Sequence, residues 1–272
     1  RFHGKIAKID AGLNALQQLK SLELSGLDLT SFSGGQSHPI EYIAPLELPN
    51  LLELKLSNYA GDNLADIFNA RGNLRSLELD GIYHYDALPA AGLKGLERIR
   101  LYHCNFSNLQ EVQAPIKYFE AYFCKSINQR AIETISSWTT LKELHLKYIS
   151  DEVDALPESL APLKLTVLDL NNFRLKEIPD FIGKIHTLKV LYLDGFYVDG
   201  LPISIASLPN LSYLSLNSTT FRKKLPEDFR QLKIKQLRMF MSKFAGNNMK
   251  QDLYEPLLTP NMTKVVRDFM FE

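Results

Sequence analysis

The chain has 272 residues, 45% of them apolar and 23% charged, which is enough to bury a sizeable core and sits within the range of a soluble globular protein. Its 31 lysines plus arginines balance 31 acidic residues, so no global field draws it toward nucleic acid or an anionic membrane and recognition must be local. No run approaches the roughly 18 apolar residues of a membrane span, and no charged-then-apolar signal segment opens the sequence.

In chain order, residues 1–18 come first and resemble the middle of a later segment. A shift of 192 positions lays Ile6, Ile9, Leu13, Leu16 and Leu19 over Val198, Leu201, Ile205, Leu208 and Leu211. The chain therefore begins mid-repeat, with further repeats or a cap expected ahead of it; an amphipathic capping helix is the other reading of the same spacing.

From Leu19 the pattern L-x-x-L-x-L recurs, starting at Leu19, Leu51, Leu74, Leu96, Ile116, Leu141, Leu165, Leu188, Leu211 and Ile234. The steps are 32, 23, 22, 20, 25, 24, 23, 23 and 23 residues. Positions 4 and 6 of such a segment point to one side of a short strand, and positions 3, 5 and 7 to the other. One copy cannot bury its own leucines, so neighbouring copies stack and share a core. The stretches "IPDFIGKIHTL" from Ile178 and "LPISIASLPNL" from Leu201 mark the return path between strands. The long first step holds Gly34, Gly35 and Pro39, which predict an irregular loop over residues 31–42. The organisation is therefore 1–18 as partial repeat or cap, 19–244 as ten repeats, and 245–272 as a C-terminal cap that uses Leu253, Leu257, Leu258, Val265, Val266 and Phe269.

This pattern resembles the leucine-rich-repeat family over nearly the whole chain. Repeats 7 to 9 are similar to the subtype L-x-x-L-x-L-x-x-N-x-L-x-x-L-P-x-x-I-x-x-L, with Pro179, Pro202 and Pro226 at its proline. At the asparagine position stand Phe173, Phe196 and Thr219, and in repeats 4 and 5 Cys104 and Cys124. The resemblance implies an α/β solenoid in a curved arc, with a parallel sheet on the concave face and irregular or short helical convex segments. It also implies a structural role for the cysteines, which otherwise read as free thiols in a reducing cytosol.

No catalytic signature is present: no phosphate-binding G-x-x-x-x-G-K-[ST], no G-x-G-x-x-G, no H-E-x-x-H and no G-x-S-x-G. The six histidines lie at no metal-ligand spacing, so neither cofactor nor metal is expected. Glu78 and Asp80, two apart on one strand face, read as solvated charges. Glycosylation sequons fall at Asn105, Asn210, Asn217 and Asn261.

The wet sheet face is then the functional surface. Repeats 4 to 6 gather Arg98, Arg100, Tyr102, His103, Tyr118, Glu120, Tyr122, Phe123, His145 and Tyr148, in which aromatics and arginines are the residue types of interface anchors. Tyrosines packing across strands are the competing explanation. Tyr83, His84 and Tyr85 either join this rim or fill a turn. Acidic neighbours Glu120, Glu143 and Asp169 disfavour RNA, although bases stack on tyrosine. The chain reads as a cytoplasmic protein-binding module and not an enzyme, acting in a host cytosol if it is a bacterial effector. Three alternatives stay open: the substrate-recognition part of a larger enzyme such as a ubiquitin ligase, a fragment of an intracellular immune receptor, and an extracellular adhesion or receptor module.

Overall fold

The computed structural model describes residues 8–26, 38–68, 73–149, 153–223, 228–229, 234–239, 243–244 and 247–248. The predicted cap at 245–272 lies outside them apart from the short strand Asn247–Asn248, as do Pro226, residues 31–37 of the predicted loop and Asn261. The chain forms two compact units, Arg1–Ile135 and Ser136–Glu272.

In the first unit, β1 (Ser21–Ser25), β2 (Glu53–Ser57), β3 (Ser76–Asp80), β4 (Arg98–Tyr102) and β5 (Tyr118–Tyr122) pair in parallel and in register. Leu22 and Leu24, Leu54 and Leu56, Leu77 and Leu79, and Ile99 and Leu101 are buried, while the residues between them stay half-exposed, as the alternation requires. In β5 the pair is Phe119 and Ala121, the large ring making up volume that the alanine gives up. Each buried leucine contributes about 1.5–3 kcal/mol. Returns run through α1 (Leu64–Phe68), irregular turns and α2 (Gln129–Ser136), whose Ala131, Ile132 and Ile135 are buried. Near the N-terminus, Lys8–Ile9 pairs in parallel with Tyr42–Ile43, and Ala11–Ala15 is a 3-10 turn capped by Asp10, where a capping α-helix was the rival expectation. Leu16 is 48% exposed there.

In the second unit, β6 (Glu143–Lys147), β7 (Val167–Asp169), β8 (Val190–Tyr192), β9 (Tyr213–Ser215) and β10 (Gln236–Arg238) pair in parallel through the same register. Pro157, Pro179 and Pro202 each precede a 3-10 turn, the last two opening Asp180–Lys184 and Ile203–Ser207. Proline's fixed φ suits the extended residue that starts such a turn. A second ladder joins Tyr197–Val198, Thr220–Phe221 and Lys243–Phe244 in parallel, with Asn247–Asn248 antiparallel at its end. Phe173, Phe196 and Thr219 are all buried at the family's asparagine position. Thr219 restores the polar link that phenylalanine lacks, its hydroxyl donating to the Leu193 carbonyl at 2.6 Å.

One backbone feature repeats through both units. Every described residue in the left-handed region stands two before that asparagine position's successor, at the eighth place of its repeat: Asn58, Gly81, His103, Phe123, Tyr148, Asn172, Gly195 and Ser218, with φ from 50° to 77°. Glycine adopts this conformation freely and asparagine tolerates it, whereas other residues give up about 1–2 kcal/mol.

Candidate functional site

On the half-exposed face of the first unit, the central residues of the five strands read Glu23, Lys55, Glu78, Arg100 and Glu120, each directly opposite the next. The sign alternates at every step. Lys55 Nζ lies 2.8 Å from Glu78 and 4.0 Å from Glu23, and Arg100 lies 3.3 Å from Glu78 and 3.7 Å from Glu120. The hydrogen bond from Lys55 to Glu78 raises the lysine's pKa against the opposing effect of burial. Such directly opposed unlike charges stabilise a sheet, so this row is a lattice that satisfies itself.

The aromatic candidates build on its far end. Glu120, only 7% exposed, accepts hydrogen bonds from the Tyr118 hydroxyl at 2.7 Å and the Tyr102 hydroxyl at 3.0 Å. Arg98 lies over the Tyr118 ring at 4.1 Å, and Arg100 at 5.3 Å. Burial, and then Glu120, pushes the Tyr118 phenol up to about 12; the same causes push Tyr102 up. Beyond the strand ends, His103 pairs with Asp80 at 3.0 Å and its ring lies nearly parallel to Phe123 at 13°, centroids 5.7 Å apart. Tyr122 meets Phe123 edge-on at 4.8 Å and Tyr102 at 6.2 Å. The structure thus brings eight of the ten candidates together in the first unit.

His145 and Tyr148 belong to the second unit. His145 Nδ1 lies 3.2 Å from Asp169, to which Lys147 also comes within 3.8 Å, and Tyr148 is exposed at its left-handed position. Tyr83, His84 and Tyr85 divide between the two roles considered for them. The Tyr85 hydroxyl donates to the Gly61 carbonyl and accepts from Leu64 N, both at 2.9 Å, filling the turn that starts α1, whereas Tyr83 is 53% exposed and His84 is exposed.

The alternation places Lys55, Glu78 and Asp80 on this face from sequence, but they stand outside the ten candidate binding residues. The signal for the first two was present in the alternating signs down the central position. Glu78 and Asp80, read from sequence as solvated charges, are each tied to cations or histidine. Cys104 and Cys124 point into the core, fully buried, with Cys104 N donating to Cys124 Sγ at 3.4 Å and burial pushing the Cys104 thiol well up. The sequon amides at Asn105 and Asn210 donate to backbone carbonyls of the preceding repeat, at 3.1 and 2.8 Å, and that of Asn217 donates to Ser215 and Asp194. Among the described residues there is no group of three or more His, Cys, Asp or Glu able to hold a metal ion, and no helix long and apolar enough to cross a membrane.

No protein-family model and no curated relative matches the sequence. Among solved structures, an internalin from Listeria monocytogenes is similar with a TM-score of 0.55 at 17% identity, over 85% of this chain and 62% of its own. A leucine-rich-repeat protein of Leptospira interrogans matches at 0.38 and 17% identity, over 98% and 92% of the two chains. The ectodomain of a membrane receptor kinase from Arabidopsis thaliana matches at 0.46 and 18%, over 88% of this chain and 37% of its own. The chain thus spans less than two thirds of the length of the internalin and of the plant ectodomain. Ten strands recurring at steps of 20 to 32 residues, parallel ladders in both units and the likeness to the internalin agree: the chain has a leucine-rich-repeat fold.

Proposed function

We propose that this chain is a non-enzymatic recognition module that binds a protein through the exposed sheet face at β4 and β5. The observation that carries this reading is the aromatic cluster of Tyr102, His103, Tyr122 and Phe123, linked ring to ring on a half-exposed surface. Rigid rings with polar handles supply large contact area with little entropy left to lose, which is why they anchor interfaces. Cross-strand packing alone accounts for Tyr118 and Tyr102, but not for exposed rings beyond the strand ends. The likeness to an internalin makes a bacterial effector-type domain the form of this reading that we favour, with a host protein as the partner.

The test is affinity capture from a cell extract with the chain beside a Tyr102→Ala, Tyr122→Ala, Arg100→Ala variant that leaves the leucine core intact. A protein retained by the parent and lost by the variant supports the reading. Equal capture by both folded proteins sinks it.

A further inference from the structure

The left-handed positions separate into two groups. Five carry Gly, Asn or Ser; three carry His103, Phe123 and Tyr148. An aromatic side chain gains nothing from a conformation that glycine or asparagine adopts more readily. A ring buried there would offset that strain by packing, but Phe123 is 37% exposed and the His103 side chain 48% exposed, so only part of the offset is recovered. Backbone strain only partly offset by local contacts points to a surface role.

Within the first unit the two strained residues form one ledge. His103 and Phe123 follow β4 and β5 directly, and their rings lie nearly parallel. Asp80 fixes the histidine and Tyr122 braces Phe123 edge-on, so both are held before any partner arrives. The strand face beside them is different in kind. Its three cations, Lys55, Arg98 and Arg100, are already engaged by Glu78, Glu23, Glu120 and the Tyr118 ring. Positions 3, 5 and 7 of its five strands present the carboxylates Glu23, Glu53, Glu78, Asp80 and Glu120 against those three cations. An acidic excess repels phosphate and acidic peptides. The ledge itself carries no formal charge apart from the His103–Asp80 pair.

We infer that recognition is anchored on the His103–Phe123 ledge, which takes an uncharged apolar side chain from a segment of a protein partner, with the charge lattice of β1–β5 acting as its rigid floor. The inference rests on the protein-binding reading above and narrows it to one edge of the face.

Random dodecapeptides displayed on phage are selected on the wild-type chain and then compared on a His103→Asn, Phe123→Asn variant. Asparagine suits this backbone, as Asn58 and Asn172 demonstrate, so the variant keeps its fold and its Tm stays level or rises; a structural role for the rings would lower it. Selected peptides should share an apolar residue and lose roughly tenfold or more of their affinity for the double variant. A selection that enriches nothing over the double variant overturns the ledge, as do lysine- and arginine-rich peptides whose binding fades with salt. Peptides that bind the double variant fully but fail on the Tyr102→Ala, Tyr122→Ala, Arg100→Ala protein would overturn the ledge while leaving the broader reading intact.

Discussion

Tyr118 and Glu120 sit two residues apart on β5, and the phenol donates to the carboxylate at 2.7 Å although both belong to a sheet face otherwise open to solvent. Glu120 also accepts from Tyr102 and lies beside Arg100, so three side chains are positioned by one nearly buried carboxylate. Replacing it with alanine leaves two half-buried phenols and a guanidinium short of a partner. Glu120→Ala should therefore lower stability by about 1–3 kcal/mol, with Glu120→Gln recovering part of the loss because it keeps one acceptor oxygen. Urea midpoints for the three proteins check this, and equal midpoints would remove Glu120 as the organising group.

Burial of Tyr118, reinforced by this contact, sets an alkaline limit. The folded Tyr118 phenol titrates at about 12, against an ordinary value of 10.0. A group whose pKa is raised by folding contributes stability that is fully present below its unfolded pKa and is lost as pH rises through the folded one. Tyr118, and Tyr59, which burial also pushes up to about 12, should thus contribute in full below pH 10 and lose that contribution between about pH 10 and 12. Absorbance at the phenolate band should show a late-titrating fraction in the native protein that disappears in denaturant. Tyr118→Phe should shrink that fraction and flatten the loss of stability above pH 10.

Two phenylalanines four residues apart should respond in opposite ways. Phe119 is fully buried between repeats, so Phe119→Ala should cost about 3–5 kcal/mol. Phe123 is exposed and strained, so Phe123→Asn should leave stability within about 0.5 kcal/mol of the parent or raise it. Thermal unfolding of both variants decides it. A large loss from Phe123→Asn would mean that its ring contacts outweigh the backbone strain.

The fold was legible because its signal is periodic. An apolar residue at positions 4 and 6 of each segment, most often leucine, has one reason to recur near every 23 residues, and Leu191 and Leu214, in register as adjacent strand partners, are that reason made visible. The site was legible only as composition. Alternation puts Arg98, Arg100 and Tyr118 on one face, yet their mutual pairing depends on distances across strands that one sequence does not encode. The strain at His103 and Phe123 was hidden for a different reason. Both residues look ordinary in the chain, and only their shared left-handed φ with Asn58, Gly81 and Asn172 exposes them as exceptions.

Close approach between return segments makes the last prediction. The 3-10 turns Asp180–Lys184 and Ile203–Ser207 pack so tightly that a Cβ on Gly183 would lie 2.4 Å from the Ser204 carbonyl carbon, a backbone atom with no rotamer to yield. Gly200, by contrast, would place its Cβ with nothing within 4 Å. Gly183→Ala should therefore destabilise the protein by about 1–3 kcal/mol through overpacking. Gly200→Ala should be neutral or slightly stabilising, since alanine restricts the unfolded chain. Denaturant midpoints for the pair form an internal control, because the chemical change is identical and only the space differs. Equal effects at the two positions would mean that the second unit's returns are packed more loosely than the Gly183–Ser204 contact requires.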